Sequence, residues 1–210
     1  MPVPIPVPDG AIERAETLYR RLESWRRTDE ALGALRAVSG FSPAVTLLKV
    51  AAVNALYYTN VYAIVRVAEH FASVLTAGPL GDLALVERLA AVPRGGAEKR
   101  AVRRLSLASK FAHFFVDEEV FPIYDQYAVR MVAKHTGVSV LSLDGRYAAF
   151  AEAFGALARD AGLMGQRRRL DRYLWVQGQY EEWREKGTTS SRDLIEVFKK
   201  GEWPVARGVE

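Results

Sequence analysis

An all-α fold is what this sequence predicts, on three observations. Apolar residues recur at helical spacing over most of the chain, period-two alternation is nowhere sustained, and capping residues stand just ahead of the apolar stripes. The 210 residues, half of them hydrophobic, suffice for a sizeable core in one large domain or two small helical lobes.

The elements follow in order. Met1-Pro2-Val3-Pro4-Ile5-Pro6-Val7-Pro8 is proline-rich and reads as an extended arm over residues 1–8. Asp9 is placed to cap a long helix to about Val38, with Ile12, Ala15, Leu18, Leu22 and Trp25 on one stripe and Arg20, Arg21, Arg26 and Arg27 on the other. Ser42-Pro43 supplies an N-cap followed by proline at the first helical position, opening a helix to about Tyr58. Thr59-Asn60 interrupts the chain before a third helix from about Val61 to Leu75, which Gly78-Pro79 stops. Asp82 heads a short helix to Val92, and Pro93-Arg94-Gly95-Gly96 precedes a basic helical stretch from Ala97 to about Phe115. After the acidic turn Asp117-Glu118-Glu119, Phe121-Pro122-Ile123-Tyr124 is held extended by its proline, and Asp125 caps the next helix. Further helices are expected over 142–161, 166–186 and 190–200, and no sheet is expected.

Composition narrows the function classes. The absence of cysteine removes disulfides, Cys-based zinc sites, thiol nucleophiles and iron–sulfur clusters, and points to a reducing cytoplasm. The N-terminal prolines forbid the helical core of a signal peptide. The most apolar stretch, Val45 to Val67, is interrupted by Lys49, Asn54, Asn60 and Arg66, so no membrane span is expected. Twenty-nine Lys and Arg against 25 Asp and Glu leave a net charge of +4, which favours polyanionic partners. His70, His113 and His135 lack the spacing of a ligand pair, and no P-loop, Gly-x-Ser-x-Gly or Gly-x-Gly-x-x-Gly occurs. Neither metal nor cofactor is expected.

Two segments carry a resemblance. Asn54-Ala55-Leu56-Tyr57-Tyr58-Thr59-Asn60-Val61, followed by an amphipathic helix with Glu69, resembles the helix–loop–helix with which helix-hairpin-helix DNA glycosylases of the 8-oxoguanine type fill the gap left by a flipped base. Leu105-Ser106-Leu107-Ala108-Ser109-Lys110, followed by Phe121-Pro122-Ile123-Tyr124-Asp125, resembles that superfamily's hairpin, catalytic lysine and Pro-x-Asp segment. The family's hairpin usually reads Leu-Pro-Gly-Val-Gly-x-Lys, whereas the stretch here has no glycine. The resemblance covers about residues 42–136. It implies a compact glycosylase-like fold over residues 9–210, with room for two helical lobes and a cleft.

The resemblance implies a DNA glycosylase acting on a damaged or modified base of duplex DNA. Lys110 would be the nucleophile and Asp125 the carboxylate that stabilises positive charge on the sugar. A lysine attacks only as the neutral amine, which desolvation near Phe111 and Phe114 would favour; its Schiff base would then permit strand cleavage. The extruded base needs aromatic surfaces, for which Tyr57, Tyr58, Tyr124 and Trp175 are candidates, with Thr59 and Asn60 beside the duplex. Lys99, Arg100, Arg103 and Arg104 are candidates for phosphate contacts, and Arg167-Arg168-Arg169 with Arg172 is a further basic cluster. The other readings are a non-catalytic nucleic-acid-binding protein on this scaffold and a helical protein-interaction domain.

Overall fold

The computed structural model describes residues 3–94 and 102–203. The protein is all-α. In chain order its helices are α1 (Ala11–Arg21), α2 (Glu23–Arg36), α3 (Pro43–Leu56), α4 (Ile64–Ala77), α5 (Ala84–Ala90), α6 (Leu105–Phe115), α7 (Gln126–Thr136), α8 (Val140–Leu143), α9 (Tyr147–Asp160), α10 (Arg167–Lys186) and α11 (Arg192–Lys199). No helix among the described residues is long and apolar enough to cross a membrane. The chain forms two compact units, residues 1–26, 125–144 and 152–210 in the first and 27–124 with 145–151 in the second.

The first unit is built on α1, α7 and α10. α1 buries Ala11, Ile12, Ala15 and Leu18 in its packing against α10. Ala11, Ile12, Ala15 and Leu18 stand at i, i+1, i+4 and i+7, which puts them on one face of a 3.6-residue helix. α10 also packs on α7, and Gly178 makes the approach possible: a Cβ there would stand 2.7 Å from Cβ of Tyr127. The described part of the arm is docked at Ile5, whose N–H donates to the Lys134 carbonyl at 3.2 Å and whose carbonyl meets His135 Nδ1 at 2.6 Å. A carbonyl only accepts, so His135 carries its proton on Nδ1. Its Nε2 then accepts from the Tyr173 hydroxyl at 3.1 Å.

The second unit has α3 packed on α4 and α6, and α5 on α6. Along α6, Leu105, Leu107, Ala108, Ser109, Lys110, Phe111, Ala112, His113 and Phe115 are all buried. A helix buried on nearly every side is the centre of its unit. Phe111 meets Phe71 and Phe115 edge-on, each at 5.1 Å between ring centroids, an arrangement the ring quadrupoles favour.

Several local expectations hold. Ser42 caps α3, accepting from Val45 N–H, with Pro43 first in the helix, and Asp125 caps α7. Three expectations are corrected. The single helix predicted from Asp9 to Val38 is two, because Leu22 adopts extended geometry (ψ 91°) between α1 and α2. No glycine or proline marks that break; it falls just beyond Leu18, the last residue α1 buries, so packing and not propensity ends the helix. Gly10, not Asp9, is the N-cap of α1, because its left-handed backbone (φ 68°) turns the chain. The first helical N–H, that of Ala11, then reaches the Pro8 carbonyl. Finally, a small antiparallel ladder pairs β1 (Ala91–Val92) with β2 (Val102–Arg103), in the register Ala91↔Arg103 and Val92↔Val102. The basic helix therefore begins at Leu105. Two-residue strands are too short to display any periodicity in sequence.

Candidate functional site in the second unit

Lys110 is 4% exposed, on the central helix of its unit. Burying an amine is costly unless it has hydrogen-bond partners. Lys110 Nζ donates to Ser106 Oγ at 2.8 Å, one helical turn earlier. It also lies 5.7 Å from the ring centroid of Tyr57, a distance at which the π-face attracts a cation. Tyr57 is itself fixed: its hydroxyl donates to Asp29 Oδ1 at 3.1 Å and its ring packs on Phe114.

The neighbouring residue, Ser109, is a latch. Fully buried, its Oγ accepts from Tyr124 N–H at 3.0 Å and faces the Tyr124 carbonyl at 3.4 Å. His113 Nδ1 is 2.9 Å from the Phe121 carbonyl, and the Tyr147 hydroxyl donates to the Pro122 carbonyl at 3.0 Å. The segment Phe121–Tyr124 is thus tied along its length, twice to α6 itself. Proline leaves it without a helical ladder, so its backbone groups take side-chain partners.

The loop between α3 and α4 is braced from within. Asn54 Oδ1 accepts from Thr59 Oγ1 at 2.7 Å and from Val61 N–H at 2.9 Å, while its Nδ2 donates to the Val61 carbonyl at 3.1 Å. Tyr58 and Asn60 both lie in the left-handed region, at φ 49° and 54°. Asparagine tolerates that region; tyrosine sits there at a cost of about 1–3 kcal/mol, which the surrounding bonds must over-determine. Tyr58 is 81% exposed and Asn60 is exposed.

The remaining predicted residues are placed as follows. Tyr124 is buried; its hydroxyl accepts from Gly145 N–H at 2.6 Å, and its ring packs edge-on against Phe150. Arg103 pairs with Glu87 and donates to the Gly145 carbonyl. Arg104 is the N-cap residue of α6. Lys99 and Arg100 lie outside the described residues. In the first unit, Asp125 Oδ1 accepts from Tyr127 N–H and Ala128 N–H, both at 2.9 Å, and half-buried Trp175 packs on Trp25 with centroids 4.5 Å apart. The Arg168, Arg169 and Arg172 side chains form ion pairs with Asp171, Glu13 and Glu16. Among the described residues no group of histidines and carboxylates is gathered closely enough to hold a metal ion.

A second buried lysine offers a comparison. Lys49, 2% exposed, donates to the Val38 and Gly40 carbonyls at 2.8 and 3.3 Å and lies against the rings of Phe41 and Phe115. Burial pushes its ammonium below the usual lysine range. Its acceptors are backbone carbonyls of the connection between α2 and α3, so it clasps that turn.

A family model described as HI_0787_N, N-terminal domain, matches residues 11–119, just over half of the chain. The chain belongs to the HI_0787_N family. No curated protein and no solved structure matches it. The stretch matched by the HI_0787_N model includes Asp29, Asn54, Tyr57, Ser106, Ser109 and Lys110, and ends before Asp125. Ser106, Ser109 and Asn54 stood inside segments the sequence singled out, but nothing marked them as partners. Asp29 carried no signal at all, being 28 positions from Tyr57.

Proposed function

We propose that the protein is a DNA glycosylase-like enzyme that removes a damaged or modified base, with Lys110 as its amine nucleophile and Asp125 as its charge-stabilising carboxylate. The observation that carries this reading is the burial of Lys110 on the central helix of its unit, with its amine on Ser106 Oγ and against the ring of Tyr57. A solubilising lysine has no reason to be withdrawn from water, and Lys110 is buried with its amine on Ser106 Oγ. In the proposed reaction Lys110 Nζ bonds to the sugar C1′ as the glycosidic bond breaks, the base leaving with the bonding electron pair. Asp125 favours the positive charge that develops on the sugar. The exposed Tyr58–Asn60 loop supports contact with DNA, and the net positive charge supports a polyanionic partner.

The test is borohydride trapping on duplexes carrying a panel of modified bases, with Lys110→Gln and Asp125→Asn alongside the wild type. Lys110→Gln should lose the trapped adduct while keeping its affinity for DNA. Asp125→Asn should slow base release by roughly two or more orders of magnitude, yet still trap a preformed abasic site. Asparagine caps a helix about as well as aspartate, so this variant removes the charge and leaves the start of α7 in place. Unchanged base release in folded Asp125→Asn defeats the mechanism; DNA binding with no adduct on any substrate favours a non-catalytic binding protein.

A further inference from the structure

Among the described residues of the second unit, Lys49 and Lys110 are both buried and both donate hydrogen bonds. Lys49 donates to two carbonyls fixed in the backbone. Lys110 donates to a hydroxyl, Ser106 Oγ, on the same helix and one turn away. A carbonyl only accepts, whereas a hydroxyl rotates and serves an amine in either protonation state. Ser106 is half-buried, in the first turn of α6. Lys110 is thereby held from one side by Ser106 and from another by the ring of Tyr57, whose own position Asp29 sets.

We propose that Ser106 is a positioning residue for Lys110, holding its nitrogen for attack on an aldehyde; the proposal rests on the glycosylase reading for its natural substrate, the ring-opened abasic sugar. The chemistry asks for such a partner. A neutral amine that gives one N–H to Ser106 Oγ keeps its lone pair for the carbonyl carbon. Attack forms the N–C bond and turns the carbonyl into a hydroxyl. With one proton taken from solvent, that hydroxyl leaves as water and an iminium remains. The iminium retains a single N–H, now on a cationic nitrogen, and Ser106 Oγ accepts it. Hydrogen bonds to charged groups are about twice as strong as neutral ones, so the contact strengthens as the reaction proceeds, as an interaction specific to the transition state must.

The experiment compares wild type, Ser106→Ala and Ser106→Thr as full chains in two assays. One is borohydride trapping on a duplex with a preformed abasic site, across pH. The other uses no DNA: reductive methylation by formaldehyde and cyanoborohydride, read at Lys110 by peptide mass spectrometry with exposed Lys199 as the internal standard. Ser106→Ala should slow methylation at Lys110 about tenfold relative to Lys199, the worth of one hydrogen bond to a charged group, and should move the pH profile of trapping. Ser106→Thr, which restores the hydroxyl, should recover most of the rate and the profile. Alanine is the better helix former, so Ser106→Ala should fold. Equal Lys110 rates in wild type and Ser106→Ala overturn the proposal, as does a wild-type Lys110 that formaldehyde does not label or a threonine variant that recovers nothing. A wild type that traps no DNA, but whose Lys110 methylation falls in Ser106→Ala, overturns the glycosylase reading and leaves the role of Ser106 standing.

Discussion

Replacing Gly178 by alanine sets two effects of known size against each other. Gly178 lies inside α10, where alanine is favoured over glycine by about 1 kcal/mol. From the local helix alone the variant should be more stable. Against this, the new Cβ would stand 2.7 Å from Tyr127 Cβ, 3.1 Å from Tyr127 Cα and 3.3 Å from Tyr127 Cδ1. Carbon atoms pack best at about 3.5–4.0 Å, so α7 and α10 would have to part by close to 1 Å. Tyr127 cannot swing aside cheaply. Its N–H is held by Asp125 and its hydroxyl by Glu182 and Ser190. Overpacking of this kind costs about 1–3 kcal/mol, and a contact with backbone belongs at the upper end. The net expectation is destabilisation by about 1–2 kcal/mol. Gly33, inside α2 with nothing within 4 Å of its added Cβ, is the control: Gly33→Ala should stabilise by about 0.5–1 kcal/mol. Urea denaturation followed by circular dichroism would show the midpoint falling for one variant and rising for the other at similar slope. A Gly178→Ala protein as stable as wild type would refute the close approach of α10 to Tyr127.

Other perturbations test other parts of the structure. Ser109→Ala leaves the buried Tyr124 N–H without its acceptor and should cost about 1–3 kcal/mol in the same assay; a loss below about 0.5 kcal/mol would mean the latch holds nothing. His135 has its imidazolium disfavoured chiefly by burial, so its affinity for a proton is lower in the folded chain than in the unfolded one. As pH falls through the ordinary histidine range near 6.5, the unfolded chain therefore takes up the proton first and stability drops. His135→Asn, keeping an N–H for the Ile5 carbonyl, should flatten the decline in melting temperature between about pH 7.5 and 5; an unaltered slope would assign it to other groups. If Lys99, Arg100, Arg103 and Arg104 meet phosphates, duplex affinity should fall steeply with salt, and a salt-independent affinity would remove nucleic acid as partner.

Most of the helices were legible because their signals are local. Ser42-Pro43 and Asp125 act on backbone N–H groups two or three residues ahead, and the stripe of α1 is a repeat within one element. The break at Leu22 and the β1–β2 pair were not legible, since neither residue type nor periodicity marks them. At the candidate site the quoted segments contained Lys110, Tyr57 and Asn54, but their surroundings did not show. Arg103 and the Arg168–Arg172 cluster read as basic surface in sequence, and pair with carboxylates in the fold.

By itself, the order of residues determined the all-α class, the caps of α3 and α7, and the absence of thiol chemistry. Each depends on interactions a few positions apart or on composition. Tertiary structure alone decided that Lys110 is buried with Ser106 and Tyr57, that Ser109 clasps Tyr124, and that Gly178 yields its side-chain space to Tyr127. Burial and close approach depend on which helix faces which. A sequence pattern states that a face is apolar, and only packing states what lies against it.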